Sequence, residues 1–261
     1  MRRLVGMALI GAMLLSWAAC RAKSPVAGNP SGNSSTPAAV TPEVLLIGNS
    51  YTSFNGGVDQ LLNGLKGARV AVEIAPGGYT LQRHWNTAAT LDAIKSGKFR
   101  FVILQEQSQL PAINGTEFSE YAGKLNEVVK AAGAQTVLFM TWQRPDSIAA
   151  GVTTENLAEA YTQAGSELDV KVAPAGLAFA KAVQQRPELS LNASDGHPTL
   201  AGSYLAACVI YRTVYGTTPV GLSFSGGLDD GEKTFLQRVA NETVDDYAGK
   251  RSEQVAPNAR R

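Results

Sequence analysis

Ser50 stands two residues after Gly48 in Gly48-Asn49-Ser50-Tyr51-Thr52, directly behind the apolar run Val44–Ile47. A serine hydroxyl is a weak nucleophile until a general base takes its proton, and histidine is the usual base. The chain has 2 histidines. His197 lies in Asp195-Gly196-His197-Pro198, ahead of an apolar stretch that begins at Leu200. His84, in Gln82-Arg83-His84-Trp85, falls in a helix-like run and reads as a surface or packing residue. By residue type alone, Ser50 reads as a helix cap and His197 as a loop histidine. Their company changes that reading. Gly77-Gly78-Tyr79-Thr80, Gln105-Glu106-Gln107-Ser108 and Thr141-Trp142-Gln143-Arg144-Pro145-Asp146 each follow a further apolar run. At a strand-to-helix turn the Ser50 backbone N–H can also join an anion-binding pocket. Glu106 is expected to hold its loop by accepting backbone N–H bonds.

The elements that must position these residues are legible from periodicity. Short β-branched runs at Val44–Ile47, 70–74, Phe101–Leu104, 136–140 and 170–172 are bounded by Gly, Pro or polar residues, as strands are. Between them lie helical patterns at 58–65, 80–96, 117–132, 154–168 and 176–185, then a loop at 186–198 and helices at 200–215 and 230–247. Nearly continuous apolar strands suit a parallel sheet covered on both faces, so the alternation predicts one doubly wound α/β domain. In such sheets ligands bind beyond the carboxyl ends of the strands, where all the polar clusters above are expected.

Together these segments resemble the four blocks of the SGNH (GDSL-type) hydrolase superfamily over roughly residues 43–245. The resemblance implies a three-layer α/β/α flavodoxin-like sandwich around a central, mostly parallel five-stranded sheet. It assigns the nucleophile to Ser50, the base to His197 and the orienting acid to Asp195. It assigns oxyanion-hole donors to Gly78, with Gly77 close behind, and to Gln107. Two departures matter: Gln107 replaces the family's Asn, and one residue rather than two separates the acid from the base. Asp146, or a backbone carbonyl near Ser194, is the alternative partner for His197. Tyr51, Trp142 and Arg144 are expected at the substrate. The implied reaction is hydrolysis of a small-molecule or glycan ester through an acyl-enzyme, without cofactor or metal. The alternatives are an acyltransferase or deacetylase on envelope polysaccharide, and a non-catalytic glycan-binding surface lipoprotein.

Composition narrows the partners. With a net charge of +1 and scattered Lys and Arg, no basic stripe for nucleic acid is present. Neither a Gly-x-Gly-x-x-Gly nor a Gly-Lys-Ser/Thr loop follows the first strand, which disfavours a nucleotide site. Residues 1–19 read as a signal peptide: Arg2 and Arg3 precede an apolar run too short to span a bilayer. Ala18-Ala19-Cys20 resembles a lipobox, predicting lipidation of Cys20, a flexible linker over 20–41 and a membrane anchor on an exported protein. Cleavage after Ser16-Trp17-Ala18 is the simpler alternative. Cys208, the other cysteine, sits in an apolar helical run and reads as core. The hydrolase domain is placed at 42–249, with a disordered tail at 250–261, and a monomer is expected.

Overall fold

A computed structural model describes residues 42–255. The expected signal peptide, Cys20, the linker and residues 256–261 lie outside the described residues. The strands are β1 (Val44–Ile47), β2 (Ala71–Ile74), β3 (Phe101–Leu104), β4 (Gln135–Phe139) and β5 (Lys171–Ala173). They form one sheet of order β2-β1-β3-β4-β5, and every pairing is parallel. The sheet is thus wholly parallel. It has the flavodoxin-like order, whose direction switches between β1 and β3.

Successive strand residues face opposite sides, and both sides are covered. Val44, Leu46, Phe101, Ile103, Val137 and Phe139 face one core. There they meet α2 (Val58–Lys66), α8 (Ala175–Gln185), α9 (Leu200–Tyr215) and α10 (Asp230–Val255). Leu45, Ile47, Val102, Leu104, Leu138 and Met140 face the other. Its helices include α3 (Leu81–Trp85), α4 (Ala88–Lys95), α6 (Gly115–Ala131) and α7 (Thr154–Glu167). Two short helices, α1 (Ser50–Ser53) and α5 (Leu110–Ile113), complete the described α-helices, beside 3-10 turns at Phe54–Gly56 and Ile148–Ala150. Among the described residues no helix is long and apolar enough to cross a membrane.

Three details differ from expectation. The helical pattern at 80–96 is two helices, because Thr87 takes an extended conformation and caps α3 through its hydroxyl to the Arg83 carbonyl (2.7 Å). The short helices α1 and α5 carry too few residues for periodicity to show. The last helix runs through Val255, past Lys250, where a polar tail was expected. Helix α9 is buried on nearly every side, Cys208 included, as an all-apolar helix in a core must be. Burial pushes the Cys208 thiol far up, so it is held as an inert thiol.

Candidate active site

The turn after β1 is specified from within. Asn49 precedes α1 and accepts the Tyr51 N–H on its side-chain oxygen (3.1 Å), so the cap is Asn49 and the Ser50 hydroxyl is free of that duty. Fully buried Gln105 holds the turn from β3. Its carbonyl oxygen accepts the Asn49 N–H (3.0 Å) and the Thr52 hydroxyl (2.8 Å), and its amide nitrogen donates to Asn49 Oδ1 (3.0 Å). A Cβ on Gly48 would collide with Thr52 Oγ1 and Gln105 Oε1, so only glycine permits this approach. Behind the turn, fully buried His84 donates from Nε2 to the Gly48 carbonyl (2.7 Å) and accepts from Thr90 at Nδ1 (3.1 Å). Burial lowers its pKa, so the imidazole is neutral in its place. His84 is therefore neither a surface residue nor in contact with Ser50, and it props the Ser50 turn from the core.

Residues 192–198 form a tight hairpin that returns the chain to the same sheet edge. Asn192 and Pro198 make an antiparallel bridge, and Ala193 donates its N–H to the His197 carbonyl (2.8 Å). Gly196, at φ +81°, takes the left-handed corner that the turn requires. Asp195 uses its two oxygens separately: Oδ1 accepts the His197 backbone N–H (3.1 Å), and Oδ2 lies 2.9 Å from His197 Nδ1. The first bond is an Asx-turn, a local closure open to a residue two positions before its partner. The short spacing therefore aims Asp195 at the imidazole. Those bonds, backbone first and ring second, hold the Asp195 carboxyl below its ordinary range. The other ring nitrogen, His197 Nε2, lies 2.9 Å from Ser50 Oγ. Ser50, His197 and Asp195 thus form one hydrogen-bonded chain across 147 residues of sequence. With Nδ1–H donating to Asp195, Nε2 is left to accept the serine proton.

Donors for an oxyanion stand close by. Tyr79 donates its N–H to the Pro76 carbonyl (3.2 Å), closing a turn whose third residue, Gly78, has φ +69°. That φ is the one a type II turn demands of glycine. Among the described residues neither the Ser50 nor the Gly78 N–H has a partner within the protein. Asn49 Nδ2 donates to the Tyr79 carbonyl (2.9 Å), and fully buried Glu106 accepts the Leu81 N–H (3.2 Å) and the Gln107 N–H. These bonds tie the Gly78 loop to the turns after β1 and β3. Gln107 is partly committed elsewhere. Its carbonyl oxygen accepts the Gln109 (3.0 Å) and Leu110 (3.2 Å) N–H groups, and its nitrogen donates to Ser108 Oγ (3.2 Å).

The residues expected to touch substrate divide. Trp142 is wholly buried, stacked between Tyr51 (4.4 Å between ring centres) and Phe179 (4.1 Å). It has no surface to offer a substrate, and the expectation gives way to that of a wall behind the site. Tyr51 is also buried, and burial pushes its phenol up to about 12. Arg144 lies against Gly196, where a Cβ would meet its side chain at 2.6 Å, and pairs through Nε with Asp146 (2.9 Å). Asp146 is thereby paired with Arg144, and its position as an alternative partner for His197 falls away. Phe54, unremarked in the sequence, is 38% exposed and stacks flat on the His197 ring at 4.0 Å. Among the described residues no group of three or more His, Cys, Asp or Glu side chains is arranged to hold a metal ion.

No protein-family model matches the chain, and no curated protein matches it. Solved structures do. An SGNH hydrolase from Slackia heliotrinireducens superposes with a TM-score of 0.59 at 31% identity, covering 67% of this chain and 99% of that one. A DUF4886 family protein from Bacteroides uniformis gives a TM-score of 0.61 at 18% identity, covering 78% of this chain and 94% of that one. A variant of an acetyl-xylooligosaccharide esterase from Geobacillus gives 0.50 at 16%, covering 66% and 93%, a likeness of fold. With the sheet order, the Ser50–His197–Asp195 contacts and a relative matched over nearly its whole length, this chain belongs to the SGNH hydrolases.

Proposed function

We propose that this protein is an exported serine esterase that cleaves carboxylic esters through an acyl-enzyme on Ser50. The observation that carries the proposal is the hydrogen-bonded chain from Ser50 Oγ through His197 to Asp195, with 2.9 Å at each side-chain link. Ser50 Oγ attacks the ester carbonyl as His197 Nε2 takes its proton. The oxyanion is held by the free N–H groups of Ser50 and Gly78, with the Gln107 amide as a third donor. Collapse expels the alcohol, which takes the proton back from His197. Water then attacks the acyl carbonyl, again giving its proton to His197, and Ser50 leaves protonated.

Small acyl groups on carbohydrate are the favoured substrate class. The acetyl-xylooligosaccharide esterase of like fold supports this choice, as does the open setting of the base, whose partner Asp195 is 61% exposed at its side chain. A solvent-open acyl-enzyme also favours hydrolysis over transfer. The N-terminal sequence supports export and an anchor on Cys20, testable by loss of palmitate incorporation in Cys20→Ala.

The test assays the full-length protein in detergent against short-chain aryl esters and acetylated sugars, beside Ser50→Ala and His197→Ala. Each variant is expected to lose at least about ten-thousandfold in kcat. A fluorophosphonate should label Ser50 in the parent alone. Equal turnover by parent and Ser50→Ala would remove Ser50 from the mechanism.

A further inference from the structure

Between the Ser50 turn and α2 lie three consecutive residues in left-handed backbone: Asn55 (φ +56°), Gly56 (φ +85°) and Gly57 (φ +98°). Glycine adopts that region freely, whereas a residue with a Cβ does so at a cost. Asn55 is one of two non-glycine residues with positive φ among those described, the other being Asp169 at the end of α7. Left-handed non-glycine residues persist where the surroundings hold them, and such residues gather at functional sites.

What holds Asn55 is its amide. Nδ2 donates to the carbonyl of Pro198 (2.9 Å), the residue directly after His197. It donates also to Oγ of Ser203 (2.8 Å), which is wholly buried in the first turn of α9. Both amide hydrogens are used, and both acceptors belong to the segment that carries the base. The residue before Asn55 is Phe54, whose ring lies parallel to the His197 imidazole (9° between planes). Five residues downstream of Ser50, the chain thus grips the His197 hairpin from two sides, on its backbone and on its ring.

Much of the base's remaining support is local to its own hairpin, with Arg144 packed against Gly196 from outside it. Asp195 fixes the ring's Nδ1, but it stands on the same small hairpin as His197 and is mostly exposed, so it moves with the base rather than against it. The hairpin's ties to the Ser50 segment are the Asn55 bond to Pro198, the Phe54 stack, an edge contact from Tyr51 and the Ser50–His197 bond itself, with the second Asn55 bond reaching the helix that follows. Misplacing a reacting group by about an ångström costs on the order of a hundredfold in rate. From this geometry we infer that Asn55 is a positioning residue: it sets the distance between base and nucleophile, and its strained backbone is what aims the amide. The inference rests on Ser50 and His197 acting as proposed above.

The test compares Asn55→Gly, which suits the left-handed backbone but lacks the amide, with Asn55→Asp, which tolerates it but offers no donor. If Asn55 merely forms the turn, Asn55→Gly retains full activity. As a positioning residue, both variants fold, keep KM within about twofold, and lose kcat and fluorophosphonate labelling together, on the order of tenfold to a hundredfold. A second readout needs no turnover. With 2 histidines in the chain, 15N-histidine NMR reports His197 against His84 as an internal control. The His197 Nδ1–H signal should broaden or vanish in Asn55→Gly, while His84 is unchanged. Wild-type kcat in Asn55→Gly, where Ser50→Ala is inactive, overturns the inference. Altered His197 signals with undiminished turnover in both Asn55→Gly and Ser50→Ala uphold the positioning and overturn the nucleophile instead.

Discussion

At the scale of single residues, the site rests on short-range decisions by small polar groups. Asp195 reaches His197 because its carboxylate closes an Asx-turn on the His197 N–H with one oxygen and meets the ring with the other. Its exposure weakens the link, since water competes for a carboxylate that a buried site would hold alone. Asp195→Ala should therefore lower kcat by roughly a hundredfold, well short of the loss in His197→Ala, because the base survives with its tautomer unfixed. Steady-state kinetics on one aryl ester measures both. Asp146→Ala should cost far less in the same assay, since Asp146 meets Arg144 instead. Gly196→Ala combines a left-handed φ with a collision against Arg144, so the hairpin should shift and kcat fall without loss of Ser50.

At the scale of elements, three strand-end loops are bound into one body by buried amides and a carboxyl. Gln105, at the end of β3, saturates the Asn49 N–H, the Asn49 side chain and the Thr52 hydroxyl. Gln105→Leu keeps the volume and leaves the Asn49 N–H and the Thr52 hydroxyl unpaired in the core, each costing about 1–3 kcal/mol, while the Asn49 side chain keeps its bonds to Tyr51 and Tyr79. The expected loss is roughly 3 kcal/mol or more, a fall in Tm of about 6–12 °C in a domain of this size. Two glycines separate packing from conformation. Gly48→Ala drives a methyl into the Thr52 and Gln105 side chains and should destabilise strongly. Gly78→Ala meets no atom within 4 Å and costs only its left-handed φ, about 1 kcal/mol. Thermal denaturation of the pair should rank them in that order.

At the scale of the whole molecule, stability should depend on pH in an unusual sense. Burial, then the neighbouring Asp59 charge, pushes the Glu73 carboxyl on β2 up to about 7. Burial pushes Glu106 likewise to about 7 and raises Asp59. A carboxyl whose folded pKa exceeds its unfolded value near 4.3 stabilises the fold while protonated, and the contribution is lost as pH rises from about 4.3 through about 7. The domain should therefore melt at a higher temperature at pH 5.5 than at pH 8. Glu73→Gln should raise Tm at pH 8 by a few degrees and leave pH 4.5 nearly unchanged, the size being reduced by the partial exposure of Glu73. Equal shifts at both pH values would show that the charge plays no part.

Sequence alone determined the strands, their parallel arrangement and the loops that carry chemistry, because apolar period and glycine placement are local properties. Val44–Ile47 and Phe101–Leu104 stand where their patterns put them, and α9 begins and ends where its pattern does. The sequence also singled out Ser50, His197 and Asp195, whose contacts only the fold could supply. Tertiary structure decided the rest. Whether Trp142 faces substrate or core depends on Tyr51 and Phe179, which close over it from segments distant in sequence. Whether one intervening residue lets Asp195 reach His197 depends on the hairpin's backbone, whose left-handed Gly196 turns that spacing into an Asx-turn. Asn55 carries no motif, and its link to Pro198 spans 143 residues. Such contacts are written in no local pattern, because they exist only once two distant loops meet at one edge of the sheet.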